Sequence, residues 1–322
     1  MSDQKSVIFK GRILFLTEDL DLLRQQLDGQ DLAWNEGLSL IDNISTDEIT
    51  PGWVCFYYDE TLGEYTYVGL RGKQVERNDI RSGGFAVIVS GKSKGCGSSR
   101  ETAPYSEKAA GIRLVIAKNI EKIYGQNSQN IGLLTSTDFG LIPRILAGEA
   151  IPLSEFTDGQ DPISVAIIEA GGLFEYSKRR MAGQVSPPAI TTGPRPMTLV
   201  EKVIAQHTVV DLANDEIGVS SVEPGDALFV RAGVRFSHEY VTPMGASLFR
   251  AALGKEARVS EPESVYAFRD HLTFLGEVMP ENQLRMGLLD RANGLADTQV
   301  EFTEEQGIRL FGEVAEGGSE AI

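Results

Sequence analysis

The chain has 322 residues, and its 30 Lys plus Arg against 46 Asp plus Glu give a formal net charge of −16. This acidic balance excludes bulk neutralisation of phosphates, so neither nucleic acid nor an anionic membrane is the expected partner. The chain has 42% hydrophobic residues but only two cysteines, Cys55 and Cys96, which predicts substantial cores and excludes a disulfide framework or a four-cysteine metal site. The length predicts about two domains.

No targeting segment is predicted. The residues Met1–Lys10 are polar and lack the apolar centre of a signal peptide. The longest apolar runs have about five residues, as in Phe85–Val89, whereas a membrane span needs roughly twenty. We therefore expect a cytoplasmic protein.

Short apolar runs alternate with helical stretches in the first half of the chain. The region Leu38–Val68 is rich in turn residues and aromatics and is predicted to form a β-hairpin and loop. Beyond it we predict a helix at Pro104–Ala110 and strands at Phe85–Val89, Ile112–Ala117, Ile131–Thr135 and Ile163–Ile168. This alternation is typical of an α/β layer arrangement.

One glycine-rich segment, Ser90–Ala103, follows a predicted buried strand and leads into a helix. In its first part, Gly91, Lys92 and Ser93 match the last three positions of a phosphate-binding loop motif. The first glycine of that motif is replaced by Ala86, which lies inside the apolar strand. Nucleotide binding is therefore disfavoured.

The second part of the segment reads Gly-Cys-Gly-Ser-Ser-Arg-Glu. Gly95 and Gly97 allow a tight turn, which places Ser98 and Ser99 at the N-terminal end of the helix, where the dipole stabilises negative charge. Arg100 adds a guanidinium that binds carboxylates with two hydrogen bonds. A serine in this setting is a candidate general base, and the alternative is that it caps the helix.

A proline-rich stretch separates two parts of the chain. Met181–Pro196 contains four of the 13 prolines and predicts an extended spacer. After it, Met197–His207 predicts an amphipathic helix in which Thr198 and Glu201 have capping-box spacing. We predict domains at 1–180 and 197–322 joined by a linker at 181–196; the alternative is a surface loop inside one domain. Further along, we predict a strand at Ala227–Arg231 and exposed helices at Leu284–Leu295 and Glu304–Leu310.

The motif at 95–101 closely resembles the signature of the swivelling domain in the aconitase and isopropylmalate dehydratase family. The segments Asp42–Pro51 and Val115–Leu134 are similar to two further parts of the dehydratase small subunit. The resemblance covers most of residues 8–155. It implies an α/β fold: an aconitase-type swivelling domain with β/β/α layers.

The second half resembles the opening part of the dehydratase large subunit. The similar segments are 197–207, 224–243, Asp270-His271 and 304–317. The resemblance implies a partial α/β large-subunit domain fused behind the swivelling domain. The family's cluster cysteines and a further histidine are expected beyond Ile322, so a second polypeptide carrying the remainder of the large subunit is the expected partner.

In the family, a [4Fe–4S] cluster with one open iron serves as Lewis acid for the substrate. The resemblance implies that this cluster is bound on the partner chain and that this chain holds no metal of its own. It implies that Ser98 is the catalytic base and that Asp270 and His271 form the pair that assists departure of the hydroxyl. It also implies that the substrate is bound by Ser99, Arg100 and His238. His238 and His271 are alternatively solvated turn residues.

Other polar residues are interpreted more simply. Cys96 is expected to be a small packed residue, Cys55 a core residue, and His207 a charge partner for a helix C-terminus. Three arginines lie around a turn, and the spacing does not decide whether one contacts substrate: Arg71, Arg77 and Arg81.

Two departures from the family pattern bear on the substrate. Thr102 stands where His or Gln is common, and the aromatic residues 52–72 replace the loop that sets side-chain specificity. The predicted function is a component of an aconitase-family hydro-lyase that isomerises a hydroxy di- or tricarboxylate, resembling a 2-alkylmalate or citrate, by dehydration and rehydration. The alternative is a non-catalytic binding or regulatory module without a cluster.

Overall fold

A computed structural model describes residues 5–211 and 214–312 and contains two compact units. The first unit comprises the described residues up to Pro51 together with Glu60–Arg231. The second comprises Gly52–Asp59 and the described residues from Ala232 onward. Residues 313–317 of the last family-like segment lie outside the described residues. Among the described helices, none has both the length and the apolar composition that a membrane span requires.

The first unit mixes short strands with helices. Its strands are β1 (Ser6–Val7), β2 (Arg12–Phe15), β3 (Phe85–Ser90), β4 (Leu114–Ala117), β5 (Leu134–Ser136), β6 (Ile151–Pro152), β7 (Val209–Asp211) and β8 (Glu216–Ile217). Its α-helices are α1 (Leu20–Leu27), α2 (Thr46–Ile49), α3 (Asp79–Ser82), α4 (Thr102–Ala109), α5 (Lys122–Ile131), α6 (Leu141–Leu146), α7 (Pro162–Ala170), α8 (Leu173–Met181) and α9 (Leu199–His207). There are 3-10 helices at Glu60–Tyr65 and Leu153–Phe156.

A parallel sheet with strand order β2-β3-β4-β5 forms the centre of this unit. All six residues of β3 are buried, because hydrophobic residues cover both faces of the sheet. Val87 and Val89 pack into one core and Ile88 into the other. This continuous apolar run is the pattern of a central parallel strand, and it confirms the strand predicted at Phe85–Val89.

The neighbouring predictions are confirmed with shifted ends. The predicted helix at 104–110 is α4, and the predicted strand at 112–117 is β4. The strand predicted at 131–135 is β5, which begins later because Ile131 still belongs to α5. Gly132 ends that helix in the left-handed conformation at φ 79°, which glycine adopts without a steric penalty.

The strand predicted at Ile163–Ile168 is wrong, because this segment is helix α7. The Asp161 side chain accepts hydrogen bonds from the backbone N–H groups of Ile163 (2.9 Å) and Ser164 (3.1 Å). Pro162 follows this N-cap at the first helical position, where its fixed φ favours a helix. These start signals outweigh a short apolar run that fits a strand equally well.

The hairpin predicted within Leu38–Val68 is also wrong. The segment contains helix α2 and 3-10 helices at Gly52–Phe56 and Glu60–Tyr65. A complete capping box starts α2: Ser45 and Glu48 each bond the other's backbone N–H. This reciprocal pairing satisfies two free donors and favours helix at a place where the aromatic content suggested strands.

The segment after α8 contains no helix or strand between 182 and 198. Helix α9 begins with the predicted capping box of Thr198 and Glu201. The predicted strand at Ala227–Arg231 is wrong: it forms only an isolated bridge between Val230 and Thr208. Residues 197–231 belong to the first compact unit. The domain boundaries predicted at 180 and 197 remain a prediction.

The second unit contains a parallel sheet with strand order β11-β10-β9. Its strands are β9 (Arg235–His238), β10 (Val265–Phe268) and β11 (Arg309–Phe311). Its helices are α10 (Thr242–Leu253), α11 (Leu275–Val278), α12 (Glu281–Arg285) and α13 (Leu288–Gln306), with 3-10 helices at Gly52–Phe56 and Pro262–Ser264. Of the two helices predicted here, 284–295 corresponds to parts of α12 and α13, whereas 304–310 contains the end of α13 and the start of β11.

The aromatic segment Gly52–Asp59 is built into the core of the second unit. Phe56 packs with Leu288 and Leu295, and its ring meets Tyr240 edge-on at 6.2 Å. Tyr240 Oη also donates to the carbonyl of Gly52 at 3.3 Å. The part of the predicted specificity loop that lies in this segment is therefore partly committed to packing.

Candidate active site

The predicted signature forms a loop in the first unit, Gly95–Glu101, which we call the serine loop. Gly95 and Gly97 have φ of 81° and 95°, in the region that favours glycine. A Cβ at Gly95 would collide with the ring of Tyr124. The Gly95 N–H donates to the carbonyl of Ile44 at 2.8 Å, so the start of the loop is fixed against the segment before α2.

Ser98 and Ser99 are exposed and precede helix α4, which begins at Thr102. They were predicted at the N-terminal end of the helix, and the structure places them before its first turn. Glu101 occupies the N-cap and makes no side-chain capping bond. The capping alternative for Ser98 is therefore wrong.

Thr46 is the side-chain neighbour of Ser98. Its Oγ1 donates to the Ser98 carbonyl at 3.0 Å and lies 3.4 Å from Ser98 Oγ. Since the single hydroxyl proton of Thr46 is directed to the carbonyl, Thr46 can only accept from Ser98 Oγ. This contact orients the Ser98 hydroxyl, while the residue remains exposed.

Arg100 is held beside the serines by α2. Its Nη1 donates to Asp47 Oδ1 at 2.5 Å and to the Thr50 carbonyl at 3.1 Å. The side chain of Arg100 is 22% exposed and that of Asp47 is 61% exposed. The guanidinium is therefore already oriented at the surface near the serines, paired with a carboxylate.

Of the three arginines left open by the sequence, Arg71 also binds a residue of α2. Its Nε and Nη2 donate to the two oxygens of Glu48 at 2.6 and 2.9 Å. Arg77 and Arg81 instead pair with Glu64. Burial opposes ionisation of Glu48, but the Arg71 guanidinium and the Ser45 N–H outweigh it and lower the Glu48 pKa to about 2.

Replacing Glu48 with glutamine is expected to remove an acid-sensitive part of the stability. Because the Glu48 pKa falls from 4.5 to about 2 on folding, its contribution is complete above pH 4.5 and disappears as the pH falls toward 2. With Arg71 half exposed, we expect a loss of about 2 kcal/mol at pH 7. Urea unfolding of wild type and E48Q between pH 2 and 7 measures it, with exposed Glu36→Gln as control. A difference independent of pH would contradict the assignment.

The structure adds a buried ion pair beneath the serine loop that sequence reasoning missed. Lys94 and Glu107 are both 0% exposed, with Nζ and Oε1 2.9 Å apart. The hydroxyls of Tyr67 and Tyr124 both donate to Glu107. Burial raises the pKa of both tyrosines and lowers that of Lys94. In the sequence, the signal for this ion pair was Glu107 itself, a charged residue on the buried face of α4.

In the second unit, the structure brings together the three remaining predicted site residues. His271 Nδ1 lies 2.6 Å from Asp270 Oδ1, the contact expected for a carboxylate that fixes the histidine tautomer. The rings of His238 and His271 stack with centroids 3.5 Å apart and planes at 6°. His207, which is expected to be a charge partner for a helix C-terminus, is the last residue of α9.

Glu239, which sequence reasoning missed, holds this turn together. It is 1% exposed, and its oxygens accept the backbone N–H groups of Asp270, His271 and Leu272 at 3.1, 2.7 and 2.6 Å. A buried carboxylate that accepts three N–H donors fixes the backbone around it. The orientation of the Asp270–His271 pair therefore depends on Glu239.

We expect Glu239→Gln to destabilise the second unit by about 1–3 kcal/mol, because one amide N–H₂ replaces an oxygen that accepts backbone N–H groups. The amide NMR signals of Asp270, His271 and Leu272 are expected to shift. Urea unfolding followed by Trp53 fluorescence in a Trp34→Phe background measures the stability, with exposed Glu263→Gln as control. Unchanged amide signals and unfolding would show that Glu239 does not organise the turn.

The described residues do not fit a resident metal or cluster. His238, Glu239, Asp270 and His271 offer ligand atoms within 4.8 Å of one another. However, His271 Nδ1 is bonded to Asp270, His238 Nδ1 accepts from the Tyr240 N–H at 3.3 Å, and Glu239 is occupied by backbone donors. A [4Fe–4S] cluster needs more cysteine ligands than this chain has. Cys55 is buried in the second unit, and Cys96 lies in the serine loop with its thiol pKa raised by burial.

Comparisons with known proteins match part of this chain to a known family. The family model described as the aconitase C-terminal domain matches residues 70–137, which include the serine loop. The 3-isopropylmalate dehydratase small subunit of Methanosarcina acetivorans is 33% identical over 171 residues, 46% of this chain and 94% of that protein. The isopropylmalate/citramalate isomerase small subunit of Methanocaldococcus jannaschii is 33% identical over 159 residues, 44% of this chain and 90% of that protein.

A crystal structure of 3-isopropylmalate dehydratase from Methanocaldococcus jannaschii aligns with 28% identity and a TM-score of 0.34, over 44% of this chain and 91% of that chain. The sequence match to nearly whole small subunits, together with the parallel sheet and serine loop, defines an aconitase-type swivelling domain. Through its first half, the chain belongs to the aconitase and isopropylmalate dehydratase family.

Proposed function

We propose that this chain is the serine-bearing component of an aconitase-type hydro-lyase that isomerises a hydroxy di- or tricarboxylate. The observation that best supports this proposal is the serine loop. It presents an exposed Ser98 and an oriented Arg100 within the region that matches the family model. The relatives that this chain matches over nearly their full length are named as dehydratase or isomerase small subunits. A small subunit implies a large-subunit partner.

In the proposed reaction, Ser98 reacts as its alkoxide: it removes a proton from the carbon next to the hydroxyl-bearing carbon and becomes the neutral hydroxyl. The hydroxyl leaves as water after His271 supplies a proton, and water then adds across the double bond in the opposite sense. Asp270 bonds His271 Nδ1, which leaves Nε2 to carry the transferred proton. Ser99, Arg100 and His238 bind the substrate's polar groups, so the substrate carboxylate takes the place of Asp47 at Arg100.

We assign the iron–sulfur cluster, which aconitase-family dehydratases generally use, to the partner chain. The two cysteines of this chain lie in different compact units and do not suffice for a cluster. Residues 197–322 are proposed to be the opening portion of a large subunit, as their sequence resemblance implies. The substrate identity and the expected cytoplasmic location remain predictions.

The decisive experiment is anaerobic co-expression with the product of a neighbouring gene that encodes the family's further histidine and its three cluster cysteines. The complex is expected to show broad iron–sulfur absorption and to convert a 2-alkylmalate or a citrate-like acid into its isomer. If no such gene exists, or if the clustered complex turns over none of these acids, the enzyme proposal fails and the non-catalytic alternative replaces it.

The purified chain alone is expected to bind no cluster, because two cysteines cannot supply the ligands of a [4Fe–4S] centre. Iron and sulfide analysis after anaerobic reconstitution tests this expectation, and the reconstituted complex with the partner serves as the positive control. Stoichiometric iron and sulfide on the isolated chain would contradict it.

A further inference from the structure

The buried ion pair beneath the serine loop has no part in the reaction proposed above. Tyr67 Oη lies 2.5 Å from both Lys94 Nζ and Glu107 Oε1, and Tyr124 Oη donates to Glu107 Oε2. The Lys94 ammonium also lies 4.6 Å from the Tyr67 ring centroid and 5.2 Å from that of Tyr124. We call these four side chains the clasp.

Stability alone does not account for the clasp. Two fully buried charges lose their hydration, and their mutual attraction often does no more than offset that loss. Apolar residues of similar volume in such positions are often as stable or more stable. The gain from a buried ion pair with fixed donors is directional: it holds its partners in one arrangement, whereas apolar contacts tolerate small shifts.

The position of the clasp shows which arrangement it holds. Lys94 directly precedes Gly95, and Glu107 lies in α4, the helix that directly follows the serine loop. The ion pair therefore joins the residue that precedes the loop to the helix that follows it. The main chain of Lys94 is fixed as well: its N–H donates to the Asn119 carbonyl and its carbonyl accepts from Glu121 N–H, both at 2.9 Å.

Tyr124 connects the clasp to the loop itself. Its ring lies directly against Gly95, where a Cβ would collide with it, and its hydroxyl donates to Glu107. Above this support, Ser98 and Ser99 are exposed, and two glycines at positive φ allow the backbone to shift. The serine loop therefore depends on the buried clasp for a fixed shape.

We propose that Lys94 and Glu107 are positioning residues, which hold the serine loop so that Ser98 Oγ remains at one place beside Thr46 and Arg100. This inference rests on the proposed role of Ser98. Neither residue touches substrate, because both are fully buried. A displacement of about 1 Å in a reacting group costs up to about 100-fold in rate, so small shifts of the loop have large effects on turnover.

The test uses the double variant Lys94→Met/Glu107→Leu in the full chain with its partner. We expect a folded complex whose kcat falls about 10- to 100-fold with little change in KM. In the isolated chain, we expect faster hydrogen exchange at the amides of Gly95, Cys96 and Thr46, which bond across the base of the loop. Arg144→Gln/Glu149→Gln, which removes the ion pairs of Arg144 with Glu149 and Glu155 at α6, is expected to leave both measurements unchanged.

A folded double variant with wild-type kcat overturns the inference, whatever its exchange rates. If the double variant does not fold, Tyr124→Phe replaces it, because the ring stays against Gly95 while one donor to Glu107 is lost. A smaller fall in kcat with faster exchange at the same amides supports the inference, and wild-type values of both overturn it. Turnover that survives Ser98→Ala in the wild-type complex instead overturns the proposed function, while the exchange data still report whether the clasp orders the loop.

Discussion

Ser98→Ala is expected to lower the turnover of the complex by about 10²- to 10⁴-fold, the usual contribution of a general base. Ser98 is exposed at the end of a glycine turn, and its hydroxyl makes a long side-chain contact to Thr46 at 3.4 Å. Its removal should therefore cost little stability and leave KM almost unchanged. Steady-state kinetics of the co-expressed complex, with thermal unfolding of the isolated chain, measures both.

The matched control is Ser82→Ala, which removes an exposed hydroxyl at the end of α3, outside the serine loop. It is expected to retain wild-type kcat and KM. Full turnover by the Ser98→Ala complex would mean that another group is the base. A loss of turnover accompanied by unfolding would assign Ser98 a structural role.

Glu107→Leu is expected to destabilise the first unit by about 3–5 kcal/mol, because it leaves the buried Lys94 ammonium without its carboxylate. The hydroxyls of Tyr67 and Tyr124 lose an acceptor at the same time. The chain has two tryptophans, Trp34 in the first unit and Trp53 in the second. Urea unfolding followed by Trp34 fluorescence in a Trp53→Phe background therefore reports on the first unit.

Lys94→Met/Glu107→Leu serves as the comparison, since removing both charges avoids an unpaired one. Its free energy of unfolding is expected to lie within about 1 kcal/mol of wild type. If the single and double variants are equally destabilised, the two charges do not act as a pair. If neither is destabilised, the buried ion pair contributes nothing to folding.

The serine loop was predictable because its signals are local. Glycines at 95 and 97, two serines and Arg100 lie within six residues, and a resemblance on contiguous residues carried the family assignment. The same holds for β3, whose apolar run identifies a central parallel strand, and for the capping box at Thr198 and Glu201. Each of these features depends on side chains fewer than ten residues apart.

Secondary-structure prediction from the sequence failed where one local pattern of residues fits both a strand and a helix. The apolar run 163–168 fits a buried strand or a helix, and the Asp161-Pro162 start decided for α7. The aromatic segment after Pro51 suggested strands and a specificity loop, yet part of it packs into the core of the second unit. Whether an aromatic side chain faces a substrate or a core depends on residues far away in the chain.

By itself, the sequence determined the α/β class, the central strand, the family and the residues presented by the serine loop, because periodicity, caps and contiguous motifs are encoded in neighbouring residues. Tertiary structure decided that Lys94 pairs with Glu107, that Arg100 pairs with Asp47, and that Glu239 holds the Asp270–His271 turn. The sequence contains all these charges but does not specify their partners. Partners follow from which segments the fold brings within 3 Å, and burial then determines which charges must be paired.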